Sequence, residues 1–131
     1  MQNKLGSHAL YTDHYEFTML DALVQSGQVD KKSVFEVFVR ELPLGRPFGV
    51  FAGINRLLPY LKNFSFNEDV LRFLEEEKII SKETQDFLYS FNFTGNIVSY
   101  REGETYFPYS PVITVEGSLG EALLIETLLL S

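Results

Sequence analysis

The chain has 131 residues, with 18 acidic against 11 basic side chains, a formal net charge of −7 and a pI near 4.8. That length fits one domain or part of a larger one, and 45% hydrophobic with 15% aromatic residues excludes global disorder. The lack of Cys excludes disulfides, thiolate metal sites and a Cys nucleophile in this stretch, and the acidic balance argues against a nucleic-acid partner.

The first predicted element is a helix over Leu10 to Gly27. Asp13 followed by Glu16 has capping-box spacing, and Gly27 supplies a C-terminal stop. Phe17, Leu20 and Val24 share one face, while Tyr15, Met19 and Ala22 share a nearly opposite one. A helix apolar on two sides is expected to pack on two sides, against its own domain and against something else. Val34 to Arg40 reads as a strand from its β-branched and aromatic content, with Phe35, Val37 and Val39 on one face. Two prolines and two glycines within Pro43 to Gly49 predict an irregular loop. The next helix places Phe51, Ile54, Leu58 and Leu61 on one side, and Pro59 within it predicts a kink or an early stop.

Asn67 and Ser81 are expected caps of two shorter helices, reaching about Glu77 and Phe91, each with acids in the first turn that suit the helix dipole. From Phe93 the period changes to two, so GNIVSYR, TYF and PVITVEG read as short strands, with a turn at EGE. Ser118 and Glu121 form a capping box that opens a helix predicted to run to the last residue. That helix ends on three consecutive leucines without a cap, which favours a truncated chain over a helix buried on another subunit. Its apolar run is interrupted by Glu121 and Glu126 and falls short of the ~20 residues of a membrane span. The first twenty residues carry Asp13 and Glu16 and no signal-peptide apolar block, so the expectation is no membrane and a cytoplasmic location.

Charge is unevenly spread. Between residues 40 and 62 lie Arg40, Arg46, Arg56 and Lys62 against Glu41 alone, a local net +3. Such a stretch around a Pro/Gly loop suits a small anion, or is a solvated loop and helix face. Arg40 closes the predicted strand, and its planar fork suits phosphate or carboxylate; an ion pair with Glu36 is the alternative. Tyr15, in the first helical turn, offers a flat ring to an aromatic ligand or is one more packing residue. Asp13 is an N-cap first and a ligand-binding group second.

The remaining motifs are weaker. His8 and His14 lack partners at metal-ligand spacing. Glu75 to Glu77 read as a solvated helix end, and Glu102 and Glu104 as acids that flank a turn and stay in water. Gly45 and Gly49 lack the Gly-Lys-Ser/Thr ending of a P-loop. No metal site and no complete catalytic constellation is expected in this stretch.

The ordered series YTDHYEFTM, FEVFVRELPLGRPFGVFAGI and FLYSFNFTGNIVSYREGETYFPYSPVITVEGSLGEALLIETLLL resembles the N-terminal portion of nicotinate phosphoribosyltransferases. The resemblance covers nearly the whole chain. It implies an α+β fold, the N-terminal domain of a type II phosphoribosyltransferase, with residues 1–131 as a fragment. The helix from about 118 would lead into an irregular α/β barrel that is absent here. It implies an enzyme of NAD salvage joining nicotinate to phosphoribosyl pyrophosphate, coupled to ATP hydrolysis with Mg²⁺ and dimeric with shared active sites. The fragment alone would be inactive. By the same resemblance Tyr15 matches a tyrosine that stacks on the pyridine ring from the neighbouring subunit. Asp13 matches an acid that helps place that ring, and Arg40 a basic residue that reaches the phosphates. A nicotinamide-specific relative, or a non-catalytic interaction module keeping only this fold, are the alternatives.

Overall fold

The structure, a computed structural model, describes residues 11–131. Leu10, where the sequence predicts the first helix to begin, and His8 lie outside the described residues. Helix α1 (His14–Gln25) starts at Asp13, whose backbone N–H donates to Glu16 Oε2 at 2.9 Å. It ends at Ser26, followed by Gly27 at φ +67°, the left-handed turn a side chain would resist. Phe17 and Leu20 are buried, whereas Tyr15 and Met19 remain 46% and 49% exposed, so the second apolar face is open.

Strand β1 (Lys32–Val37) begins two residues before the predicted strand and ends three before its predicted end. Its limits come from its partner: β5 (Ile113–Ser118) pairs antiparallel from Lys32↔Ser118 to Val37↔Ile113. Polar Lys32 and Ser33 are thereby drawn into the ladder. The strand β3 (Asn96–Ser99) pairs with the other edge of β5, giving a three-stranded sheet in the order β1-β5-β3. Central β5 buries Ile113 and Val115, and the outer face carries Val34, Glu36, Asn96, Val98 and Glu116 in the open. Past the Pro/Gly loop, β2 (Gly49–Val50) pairs with β4 (Thr105–Tyr106) as a second, two-stranded sheet. The three late strands are those the period predicts.

Helix α2 (Ile54–Lys62) runs one turn past Pro59, so the proline does not stop it. It buries Ile54 and Leu61, as expected, but leaves Leu58 on the same side exposed, and Phe51, which precedes the helix, is buried as well. Helices α3 (Glu68–Glu76) and α4 (Lys82–Tyr89) carry the expected caps. Asn67 Oδ1 accepts from Val70 N at 2.9 Å, and Ser81 Oγ accepts from Thr84 N at 3.3 Å. The predicted final helix is two helices: α5 (Leu119–Leu124) and α6 (Glu126–Leu130) are separated by a break at Ile125. Gly120 lets α5 approach closely, since a Cβ there would lie 2.5 Å from Val29 Cγ2.

Helix α1 packs against both α4 and α5, α3 rests on α4, and α5 also covers β1 and β5. Beneath α1 sits an aromatic cluster. Phe66 meets Phe17, Phe64 and Phe91 edge-to-face at centroid distances of 6.0, 5.6 and 5.8 Å. Such contacts add about 1 kcal/mol per pair beyond burial, a use for part of the large phenylalanine content. Helices thus pack on small antiparallel sheets, the α+β arrangement the sequence implies.

Candidate functional site

The acidic side chains, not the basic ones, organise this molecule. Ion pairs among the described residues are confined to exposed neighbours on α3 and α4, such as Arg72 with Asp69. Four carboxylates instead accept from backbone N–H groups at helix starts, where donors lack intrahelical partners. Asp21 Oδ1 accepts from Ser81 N at 2.7 Å and from Thr84 Oγ1 at 2.6 Å, tying α1 to the start of α4. Desolvation opposes its ionisation, but the Ser81 and Thr84 donors outweigh it and hold the Asp21 carboxyl below its ordinary pKa.

Glu102, expected to stay in water, spans to the start of α2, where its carboxylate accepts from Gly53 N at 3.0 Å and Asn55 N at 3.1 Å. Glu121 Oε1 accepts from Thr94 N and Oγ1 at 2.6 and 2.8 Å, and its Oε2 accepts from Ser118 N at 2.9 Å.

The fourth is Glu16, which is fully buried. Its Oε1 accepts from Thr127 N at 3.2 Å and Thr127 Oγ1 at 3.0 Å, and so caps α6 from across the fold. Burial pushes its pKa above the ordinary value, against the lowering effect of the Thr127 and Asp13 donors. Thr12 Oγ1 donates to the Leu124 carbonyl at 3.1 Å. The segment YTDHYEF is therefore fastened to the α5–α6 break. Sequence shows Glu16 only as the third residue of a capping box; its second task needs the break at Ile125, more than a hundred positions away.

The three predicted site residues occupy different settings. Asp13 is the exposed N-cap of α1. Tyr15 projects from the first turn of α1, and its hydroxyl donates to Glu126 Oε1 at 3.3 Å. Desolvation, followed by the charges of Glu126 and Glu16, raises its pKa above that of free tyrosine. Glu126 also lines a groove between α6 and β1 with Val34, Phe35, Val37 and Leu129. Arg40 lies three residues beyond the end of β1, exposed in a bend, so it does not close the strand as the sequence predicts. No ion pair with Glu36 forms among the described residues. Thus Asp13 and Tyr15 stand in one helical turn, and among the described residues no hydrogen bond or ion pair joins Arg40 to either.

Of the other cations in the basic stretch, Arg56 lines a cavity of 330 Å³ with Tyr11, Leu57, Tyr60 and Leu128, between α2 and α6. The sequence gives no hint of this cavity, because α6 comes from the far end of the chain. The start of α2 beside it is already occupied by the Glu102 carboxylate, which disfavours an anion there. No helix among the described residues is long and apolar enough to cross a membrane.

Residues 10–131 match the family described as the nicotinate phosphoribosyltransferase (NAPRTase) N-terminal domain. Nicotinate phosphoribosyltransferase pncB1 of Mycobacterium tuberculosis is 47% identical over 122 residues, covering 93% of this chain and 27% of that protein. The nicotinate phosphoribosyltransferase of Bacillus subtilis is 38% identical over 128 residues, 98% of this chain and 26% of that protein. The crystal structure of human nicotinic acid phosphoribosyltransferase superposes with a TM-score of 0.82 at 27% identity, covering 91% of this chain and 24% of that one. Nicotinate-nucleotide pyrophosphorylase from Pyrococcus furiosus shares the fold, with a TM-score of 0.59 at 17% identity over 95% of this chain and 25% of that one. The chain spans about a quarter of the length of the curated relatives it matches. On the family match, the identities and the shared architecture together, the chain belongs to the nicotinate phosphoribosyltransferase N-terminal domain family.

Proposed function

We propose that the full-length protein joins nicotinate to phosphoribosyl pyrophosphate, yielding nicotinate mononucleotide and pyrophosphate for NAD biosynthesis, and that this chain supplies part of its substrate site. The family match over 122 of the residues carries this reading. The pyridine nitrogen attacks ribose C1 as the C1–O bond breaks, and pyrophosphate leaves with the electron pair. Tyr15 stacks on the ring and fixes its plane, and Asp13 helps place it. An aromatic nitrogen is a weak nucleophile in dilute solution, so holding it against the anomeric carbon supplies much of the rate. Arg40 reaches the phosphates and offsets the charge of the departing group. Its exposed guanidinium, unpaired among the described residues, leaves it available for that role.

The open face of α1, with Tyr15 and Met19 exposed, supports a homodimer in which Tyr15 serves the partner's ring. The α5–α6 segment leads into a barrel domain, this piece alone is inactive, and the enzyme works in the cytoplasm. Coupling to ATP hydrolysis with Mg²⁺ belongs to the same proposal for the full-length protein. Among the described residues no three His, Asp or Glu side chains converge on a cation position, so no step through Mg²⁺ or ATP is assigned to this chain.

A phosphoribosylation assay of the full-length protein with nicotinate and nicotinamide side by side tests the proposal. Turnover of nicotinate is expected. Turnover of nicotinamide in its place makes the protein a nicotinamide-specific relative, and no turnover of either makes it a non-catalytic module. Replacing Arg40 by alanine is expected to raise the KM for phosphoribosyl pyrophosphate about tenfold, the scale of one lost charge-assisted contact. A fall in thermal stability alone, with that KM unchanged, makes Arg40 structural.

A further inference from the structure

The first turn of α1 is bound to the α5–α6 break through residues matched in order. Thr12 donates to Leu124, Tyr15 to Glu126, and Glu16 accepts from Thr127. The break at Ile125 makes this possible, because it frees the Leu124 carbonyl and the Thr127 N–H from a continuous helical ladder. Glu16 is an expensive residue in this place. It is fully buried, and among the described residues no cation pairs with it. A buried carboxylate held by neutral donors adds little net stability compared with an apolar side chain of similar volume. What it adds is direction: three donors, on Asp13 and Thr127, fix both its oxygens and therefore the turn that carries it. Tyr15 is its neighbour in that turn and is held by the residue adjacent to Thr127.

We infer that Glu16 is a positioning residue which, through Thr127, locks the first turn of α1 onto α6 and so sets where the Tyr15 ring stands. This rests on the proposed stacking role of Tyr15. Removing the Thr127 hydroxyl leaves one Glu16 oxygen short of a donor and lets the turn shift, and a small misplacement of a stacking ring weakens ligand binding without abolishing chemistry.

The test is steady-state kinetics on the full-length protein, with melting temperature measured alongside. Thr127→Val is expected to raise the KM for nicotinate about fivefold, with kcat and the KM for phosphoribosyl pyrophosphate changed by less than about twofold. Thr127→Ser, which keeps the hydroxyl, restores it. Tyr15→Ala combined with Thr127→Val is expected to be no worse than Tyr15→Ala alone, because there is no ring left to place. Glu16→Gln, which keeps the volume and part of the acceptor set, answers the same question if Thr127→Val does not fold. An unchanged KM for nicotinate in Thr127→Val and Glu16→Gln, with only the melting temperature lowered, overturns the inference and leaves the stacking role intact. Fully additive effects in the double variant also overturn it. A raised KM in Thr127→Val with no change in Tyr15→Ala overturns both the inference and the stacking role.

Discussion

Tyr15→Ala in the full-length protein is expected to raise the KM for nicotinate about tenfold, because a stacked aromatic contact contributes roughly 1–2 kcal/mol to holding a ring. The loss should fall on binding, with a smaller effect on kcat, since in the proposed role Tyr15 orients the nucleophile and takes no part in bond breaking. Tyr15→Phe separates the ring from the hydroxyl. It keeps the stacking face and loses only the 3.3 Å bond to Glu126, so its KM should stay within about twofold of the wild-type value. Steady-state kinetics with varied nicotinate at saturating phosphoribosyl pyrophosphate distinguish the two variants. An unchanged KM in Tyr15→Ala removes the stacking role.

The second large effect is expected on stability. Glu121 satisfies Thr94 N, Thr94 Oγ1 and Ser118 N together, at the point where β5 passes into α5 and where β3 is about to begin. Glu121→Ala leaves those donors in a partly buried site without an acceptor and also removes the capping box, a loss of about 2–4 kcal/mol. The pH dependence follows from the direction of its shift. Desolvation raises the Glu121 pKa, but the Ser118 and Thr94 donors more than offset this and hold it below the ordinary value. Its contribution is therefore fully present above the ordinary carboxylate range and lost as pH falls through the lowered native value. Asp21 has the same sign. Glu16 has the opposite one: its raised pKa means that the folded state takes up the proton first, so its contribution improves as pH falls through the raised value towards the ordinary one. Melting curves from pH 7 to pH 3 should show a shallower acid loss in Glu121→Ala than in the parent protein. Equal acid slopes would show that Glu121 carries no part of it.

The parts of the fold legible in the sequence are those fixed by nearby residues. Asp13 with Glu16, Asn67, Ser81, and Ser118 with Glu121 mark helix starts because a cap acts within one turn. Gly27 marks an end for a similar local reason. Alternation placed β3, β4 and β5. What failed depends on partners far along the chain. β1 is shifted because its register is set by β5. The last helix is broken at Ile125, and the backbone groups exposed there are taken up by Thr12 and Glu16, more than a hundred positions earlier. Glu102 looks like a turn acid until α2 is seen to begin beneath it.

The placement of the proposed site residues follows from the sequence just as unevenly. Tyr15 and Asp13 are found where the YTDHYEF motif puts them, in one turn with an exposed ring. Arg40 lies outside the strand that the sequence predicts to carry it, because β1 stops at Val37. Nothing local in the sequence singles out Glu16, Thr127 or Glu126 for such a role, since their connection exists only across the fold.

In the proposed function Tyr15 and Arg40 face one substrate, and a crystal structure of the full-length protein with nicotinate mononucleotide bound tests this most directly. The Tyr15 ring is expected to lie against the pyridine at van der Waals separation, about 3.5–4.0 Å, with the Arg40 guanidinium directed at the phosphate of the same ligand. A nucleotide seated away from Tyr15 in every protomer pairing, with Arg40 turned to solvent or to a structural carboxylate, would contradict it.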